Sequence, residues 1–108
     1  MKRVITFNKN GCGYEYGLLR IPTEMLKILG ISPTQNDITI GLVNNEMIIK
    51  KGKRAGEPRK ITFDSKGIGI LRIPPVYLEV LNLSKEDREV NIILKEKNIF
   101  ISKNFNKE

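Results

Sequence analysis

The sequence of 108 residues predicts a mainly β fold with short helices, built from two ββαββ-type repeats that share one core. Three observations carry this. First, the chain repeats itself. Leu18-Leu19-Arg20-Ile21-Pro22 returns as Ile70-Leu71-Arg72-Ile73-Pro74, and the register then holds without a gap at an offset of 52. Eleven of 34 aligned pairs are identical. Second, apolar residues in most segments alternate with period two, the mark of half-buried strands. Third, each half is only about 50 residues, marginal for a core of its own. Two copies form no stack with interior repeats, so a fused pseudo-dimer with a common interior is expected. The first repeat spans 1–51, the linker 52–58 and the second repeat 59–108, and the two are read as one structural domain.

The elements follow in order. Val4-Ile5-Thr6-Phe7 is β-branched and aromatic and reads as a short strand; Lys60-Ile61-Thr62-Phe63 is its copy. A Gly-rich loop follows over 8–17. Leu18 to Ile21 is a second strand, in which Leu19 and Ile21 face one way and Arg20 the other. Pro22 and Pro74 stand where a helix should begin. Met25, Leu26 and Leu29, like Tyr77, Leu78 and Leu81, recur at helical spacing over about two turns. Gly30 and Asn82 then occupy matching places, and both residue types suit the left-handed conformation at a helix end. Polar turns open at Ser32 and Ser84. Ile38, Ile40 and Leu42, and Val90, Ile92 and Leu94, alternate as strands with one buried face. Asn44-Asn45 fits a tight hairpin turn, since Asn tolerates positive φ. Glu96-Lys97 fits it less well, so Asn98 is expected to take the left-handed place. Met47-Ile48-Ile49 and Ile99-Phe100-Ile101 are the closing strands. The tail, 104–108, is short and polar.

Bulk properties narrow the function. The net charge is +7 and the pI near 9.7, which favours a polyanionic partner. The plainer account is that the lysines only keep the protein soluble. Histidine is absent, which removes His-based acid–base pairs, triads and His metal sites. A single cysteine permits neither an intrachain disulfide nor a thiolate zinc site. No phosphate-binding loop pattern occurs. An enzyme is not expected, nor a metal or cofactor. No apolar stretch approaches 18 residues and no signal-peptide pattern is present, so a cytoplasmic protein without a membrane partner is expected.

The combination of Arg-Ile-Pro, a two-turn helix ending at Leu29-Gly30-Ile31 or Leu81-Asn82-Leu83, and a β-hairpin resembles the SpoVT–AbrB superfamily of swapped-hairpin transcription factors, which includes the MazE-type antitoxins. The resemblance covers nearly all the chain, once per half. It implies that two copies exchange hairpins to close one intertwined barrel, here within a single chain. It also implies that duplex DNA is bound by the first strand, the following loop and the start of the helix. A homodimer of whole chains is compatible with that arrangement.

Arg20 and Arg72 are the leading DNA-contact candidates. Each is the one charge in an apolar strand, and burying it unpaired would be costly. A guanidinium fork suits a phosphate or a guanine edge; a solvent-facing surface residue is the alternative. Lys9 and Lys66 in the loops come next as phosphate contacts, with Asn10 and Ser65 beside them. The loop glycines permit close approach of a ligand to the backbone, or simply serve the turn. Arg3, Arg59 and Lys60 stand at the strand entrances. The chain departs from the family at Leu18 and Ile70, where an arginine is common, and in the helices, where only Lys27 is basic. The halves are also unequal: ten residues separate Phe7 from Leu18 and six separate Phe63 from Ile70. Tyr14 and Tyr16 belong to the longer loop and are expected to cover an end of the barrel, in preference to stacking or reaching a groove. An asymmetric operator is therefore expected. Cys12 reads as an ordinary loop residue, in preference to a redox sensor.

The leading expectation is a sequence-specific transcriptional regulator, a repressor or transition-state type. The second is an antitoxin that also binds a ribonuclease toxin, ranked lower because only five residues follow Lys103. The third is a protein-interaction module without a nucleic-acid role.

Overall fold

Alternating apolar residues need a second surface to cover them, and here each half covers the other. The structure is a computed structural model that describes residues 1–103; the polar tail at 104–108 lies outside the described residues. The first half runs β1 (Lys2–Val4), β2 (Thr6–Lys9), β3 (Glu15–Ile21), α1 (Thr23–Leu29), β4 (Asp37–Val43) and β5 (Glu46–Lys51). The second half repeats the order as β6 (Glu57–Lys60), β7 (Thr62–Phe63), β8 (Gly69–Ile73), α2 (Pro75–Val80), β9 (Glu89–Lys95) and β10 (Asn98–Lys103). The fold is mainly β, with two antiparallel sheets.

The six-stranded sheet has the order β1-β9-β10-β5-β4-β6 and the four-stranded sheet the order β2-β3-β8-β7. Both orders read alike from either end when the halves are exchanged. Strand β1 pairs with β9 of the second half, Arg3 opposite Val90. Strand β6 pairs with β4 of the first half, Arg59 opposite Ile38. Leu19 faces Leu71 at the centre of the small sheet, and Ile48 faces Phe100 at the centre of the large one. These equivalent pairs mark a pseudo-two-fold axis through both sheets.

The segment Val4-Ile5-Thr6-Phe7, expected as one strand, is two. The chain leaves the large sheet at Ile5 and enters the small one at Thr6. Ile61 does the same in the second half. Both isoleucines are fully buried between the sheets, and their amides bond to Arg88 O (2.9 Å) and Asn36 O (3.0 Å). Period two persists through such a crossing, so the alternation could not reveal it. Strand β6 also takes in Glu57 and Pro58, at the end of the segment read as linker.

Pro22 and Pro74 stand at the N-caps of the helices, where a missing N–H costs nothing. At the other end Gly30 (φ 74°) and Asn82 (φ 59°) are left-handed. Ile31 N bonds to Leu26 O and Leu83 N to Leu78 O, both at 2.9 Å. This is the Schellman closure, formed twice at equivalent places. Asn44 and Asn45 have φ of 51° and 63° as expected. Glu96 and Lys97 correct the expectation for Asn98. Their φ values of 52° and 64° match the asparagine pair, and Asn98 is already in β10. Register set by the flanking strands prevails over the turn preference of the two residues.

The core is aliphatic and drawn from both halves: Ile5, Leu19, Ile40, Met47 and Ile49 are fully buried with Ile61, Leu71, Ile92, Ile99 and Ile101. The Cα radius of gyration, 13.2 Å, is the value for one compact body of about this length, not for two beads on a string. The helices lie on the other half's strands. A Cβ on Gly17 of β3 would meet Leu78 of α2 at 3.1 Å and Ile5 at 2.8 Å, and one on Gly69 of β8 would press on Leu26 of α1. These two glycines therefore admit core leucines, not a ligand. Among the described residues no helix is long and apolar enough to cross a membrane.

Candidate nucleic-acid interface

Side chains of a strand alternate between faces, so burying Leu19, Ile21, Leu71 and Ile73 forces Arg20 and Arg72 outward. The outer face of the small sheet is thereby fixed. Its two central strands present Leu18, Arg20, Ile70 and Arg72, with Arg20 opposite Ile70 and Arg72 opposite Leu18. Thr6 and Asn8 extend the face along β2 and Thr62 along β7. Both arginines are exposed, and neither has a carboxylate partner among the ion pairs of the described residues.

The crossing at Ile5 and Ile61 brings a second arginine beside each. Arg3 and Arg20 line a groove of about 430 Å³ with Thr6, Leu18 and Ile70. The equivalent Arg59 and Arg72 line a smaller one of about 170 Å³, together with Tyr14 and Tyr16. The two sides differ in charge. Arg59 donates to Glu57 at 2.6 Å, and the other oxygen of Glu57 accepts from Tyr77 Oη at 3.0 Å. Burial, and then Glu57, push the Tyr77 phenol up to about 12. Arg3 has Met1 at the place of Glu57, and donates to the Lys2 carbonyl at 3.1 Å. Lys60 pairs with Asp37 at 2.9 Å, and the Lys60 ammonium holds the Asp37 carboxyl below its ordinary value. Arg59 and Lys60 are thus each held in an ion pair, whereas Arg3, Arg20, Arg72, Lys9 and Lys66 are in none of those among the described residues.

The loop tips correspond in a way that the sequence concealed. Asn10 Oδ1 accepts from the amides of Cys12 (2.9 Å) and Tyr14 (3.0 Å). Asp64 Oδ1 accepts from those of Lys66 and Ile68, both at 2.9 Å. Gly13 (φ 87°) and Gly67 (φ 81°) close the two turns. The tips are therefore one Asx-type turn formed twice. The four extra residues of the first half lengthen its hairpin by two cross-strand pairs, Asn8 with Tyr16 and Lys9 with Glu15. Lys66 matches Cys12 in this alignment, and Lys9 has no counterpart. Asn10 is committed to holding its turn, while Ser65, Lys66 and Lys9 remain exposed. The amides of Ile68 and then Lys66 lower the Asp64 pKa, with a further contribution from the charge of Arg20.

Tyr16 was not among the sequence-derived contact residues. The longer hairpin places its ring under Arg72, whose guanidinium carbon is 3.7 Å from the centroid. Tyr14 is 67% exposed and lies at the same groove. Unequal loop length was the available signal for a difference between the arginines, but not for this stacking. The site residues thus gather on and around one sheet face, with Arg20 and Arg72 central and Lys9 and Lys66 at its hairpin tips.

Compared with protein-family models, curated proteins and solved structures, the chain matches none.

Proposed function

We propose that this chain is a sequence-specific DNA-binding regulator of the cytoplasm, a repressor or transition-state type, built as a swapped-hairpin pseudo-dimer of the SpoVT–AbrB kind. The outer face of the small sheet docks on duplex DNA. The observation that carries the reading is the pair Arg20 and Arg72: two exposed arginines, in none of the ion pairs of the described residues, on adjacent strands across a pseudo-two-fold axis. The exchange of strand partners between halves, β1 with β9 and β6 with β4, supports the swapped architecture. Arg3, Lys9 and Lys66 add phosphate contacts, and phosphates supply much of the affinity. The unequal hairpins, and the carboxylate at Glu57 on one side only, favour an asymmetric operator.

Selection of genomic fragments with the purified protein at physiological salt tests this. An enriched, non-palindromic site is expected. With about four to eight phosphates neutralised, log affinity falls against log salt with a slope near −4 to −7. No enriched fragment, or a slope near zero, refutes the reading; a perfect palindrome refutes its asymmetry.

A further inference from the structure

A second cationic groove lies away from the strands of the small sheet. It is bounded by the end of α1, the end of β5 with the turn that follows, and the β9–β10 turn, and encloses about 450 Å³. Lys50, Lys51, Arg54 and Lys97 line it, against a single carboxylate, Glu96. None of the four cations is among the ion pairs of the described residues. Arg54 is held in place. Its amide donates to Thr39 Oγ1 at 2.8 Å, Thr39 donates to Gly52 O at 2.8 Å, and Arg54 Nε donates to Lys51 O at 3.3 Å. Thr39 is the buried polar residue of the core region, 2% exposed.

The pseudo-symmetric groove is an internal control. It encloses about 460 Å³, yet presents Asn44, Asn45 and Ser102 where the first has Glu96, Lys97 and Lys50. Its one lysine, Lys103, is paired with Asp87. The matching pair in the first half is Lys51 and Gln35, so that lysine is left without its carboxylate. Among the described residues one groove is thus nearly neutral and the other has a marked positive excess. Gathering like charges costs stability through self-repulsion, and an anionic ligand removes that cost.

We propose that this groove binds a phosphate-bearing anion with two or more phosphoryl groups. An arginine fork matches phosphoryl oxygens, and the lysines act as point charges around it. The phosphoryl groups come from a free polyphosphate or nucleotide, or from a DNA backbone.

The test titrates full-length protein with inorganic tripolyphosphate at physiological salt, read by calorimetry and amide shifts. Shifts at 28–30, 50–54 and 96–98 are expected. R54A/K97A should weaken binding by about tenfold or more, while R20A/R72A leaves it unchanged. Absence of binding overturns the proposal; so do equal shifts at the Asn44–Asn45 groove, or loss of binding in R20A/R72A alone. Once the groove is established, the same variant tested on the selected duplex assigns the source. A reduced salt slope for R54A/K97A means DNA backbone, and an unchanged slope means a free anion.

Discussion

Arg72, in the middle of β8, holds its guanidinium 3.7 Å from the centroid of the Tyr16 ring on the neighbouring strand β3. Arg20, at the equivalent place, has no such ring, because Tyr16 belongs to the hairpin extension that the second half lacks. The stack restrains Arg72 before any ligand arrives, and restraint reduces the entropy lost on binding. Substituting Tyr16 by alanine should weaken DNA binding by about 0.5–1 kcal/mol, two- to fivefold, whereas Tyr16→Phe keeps most of the affinity. Equilibrium binding of both variants to the selected duplex is the check, and equal losses would argue against the stack.

Asp64 and Asn10 perform one structural task with different charge. Each side-chain oxygen caps the same turn, but Asp64 also places a negative charge near Arg20. The substitution Asp64→Asn should preserve the turn and tighten DNA binding, with a steeper salt slope. Unchanged affinity with an intact fold would mean that Arg20 does not face DNA. The linkage also has a sign. The folded carboxyl titrates below its unfolded value of 3.8, so its contribution is present above that pH and is lost as pH falls through the lower folded value. Amide exchange at 64–68 should quicken there, and Asp64→Asn should remove that step.

Gly17 and Gly69 are where each half receives the other's helix. A methyl group at either must displace Ile5 or Leu26 from a packed core. Gly17→Ala and Gly69→Ala should each cost about 1–3 kcal/mol. For a chain of this size that lowers the melting midpoint by about 4–8 °C per kcal/mol. If the glycines served a ligand instead, DNA binding would fall while the midpoint held.

Tyr77 links α2 to β6 through Glu57. Its pKa is raised from 10.0 to about 12, chiefly by burial. The unfolded phenol ionises first on raising pH, so its contribution is complete below pH 10 and lost between 10 and 12. The largest loss this shift permits is about 2–3 kcal/mol. Denaturant stability measured across that window should fall more steeply for the natural protein than for Tyr77→Phe. Parallel curves would show that the phenol is not buried.

Much of this architecture was legible because local rules agreed with the fold. Pro22 and Pro74 with Gly30 and Asn82 bracket both helices, and alternation located the hairpins and the outward arginines. The sheet crossing at Ile5 and Ile61 was not legible, because alternation records burial and not which strand lies alongside. Glu96 and Lys97 misled because turn preference is weaker than the register imposed by β9 and β10. The loop tips were readable in part: Asn10 and Asp64 each stand three residues before a glycine, Gly13 and Gly67, but the unequal hairpins hid that match. Glu57 reached Arg59 from a segment that reads as linker, and the stacking of Arg72 on Tyr16 needed the paired geometry of β3 and β8.

The most direct test of the account is the double variant R20A/R72A, measured on the selected duplex at physiological salt. Each arginine is expected to contribute about 1–3 kcal/mol. Loss of affinity by about 100-fold or more, with the melting midpoint shifted by no more than about 2 °C, is the predicted result. Binding within twofold of the natural protein, with the fold intact, would contradict it.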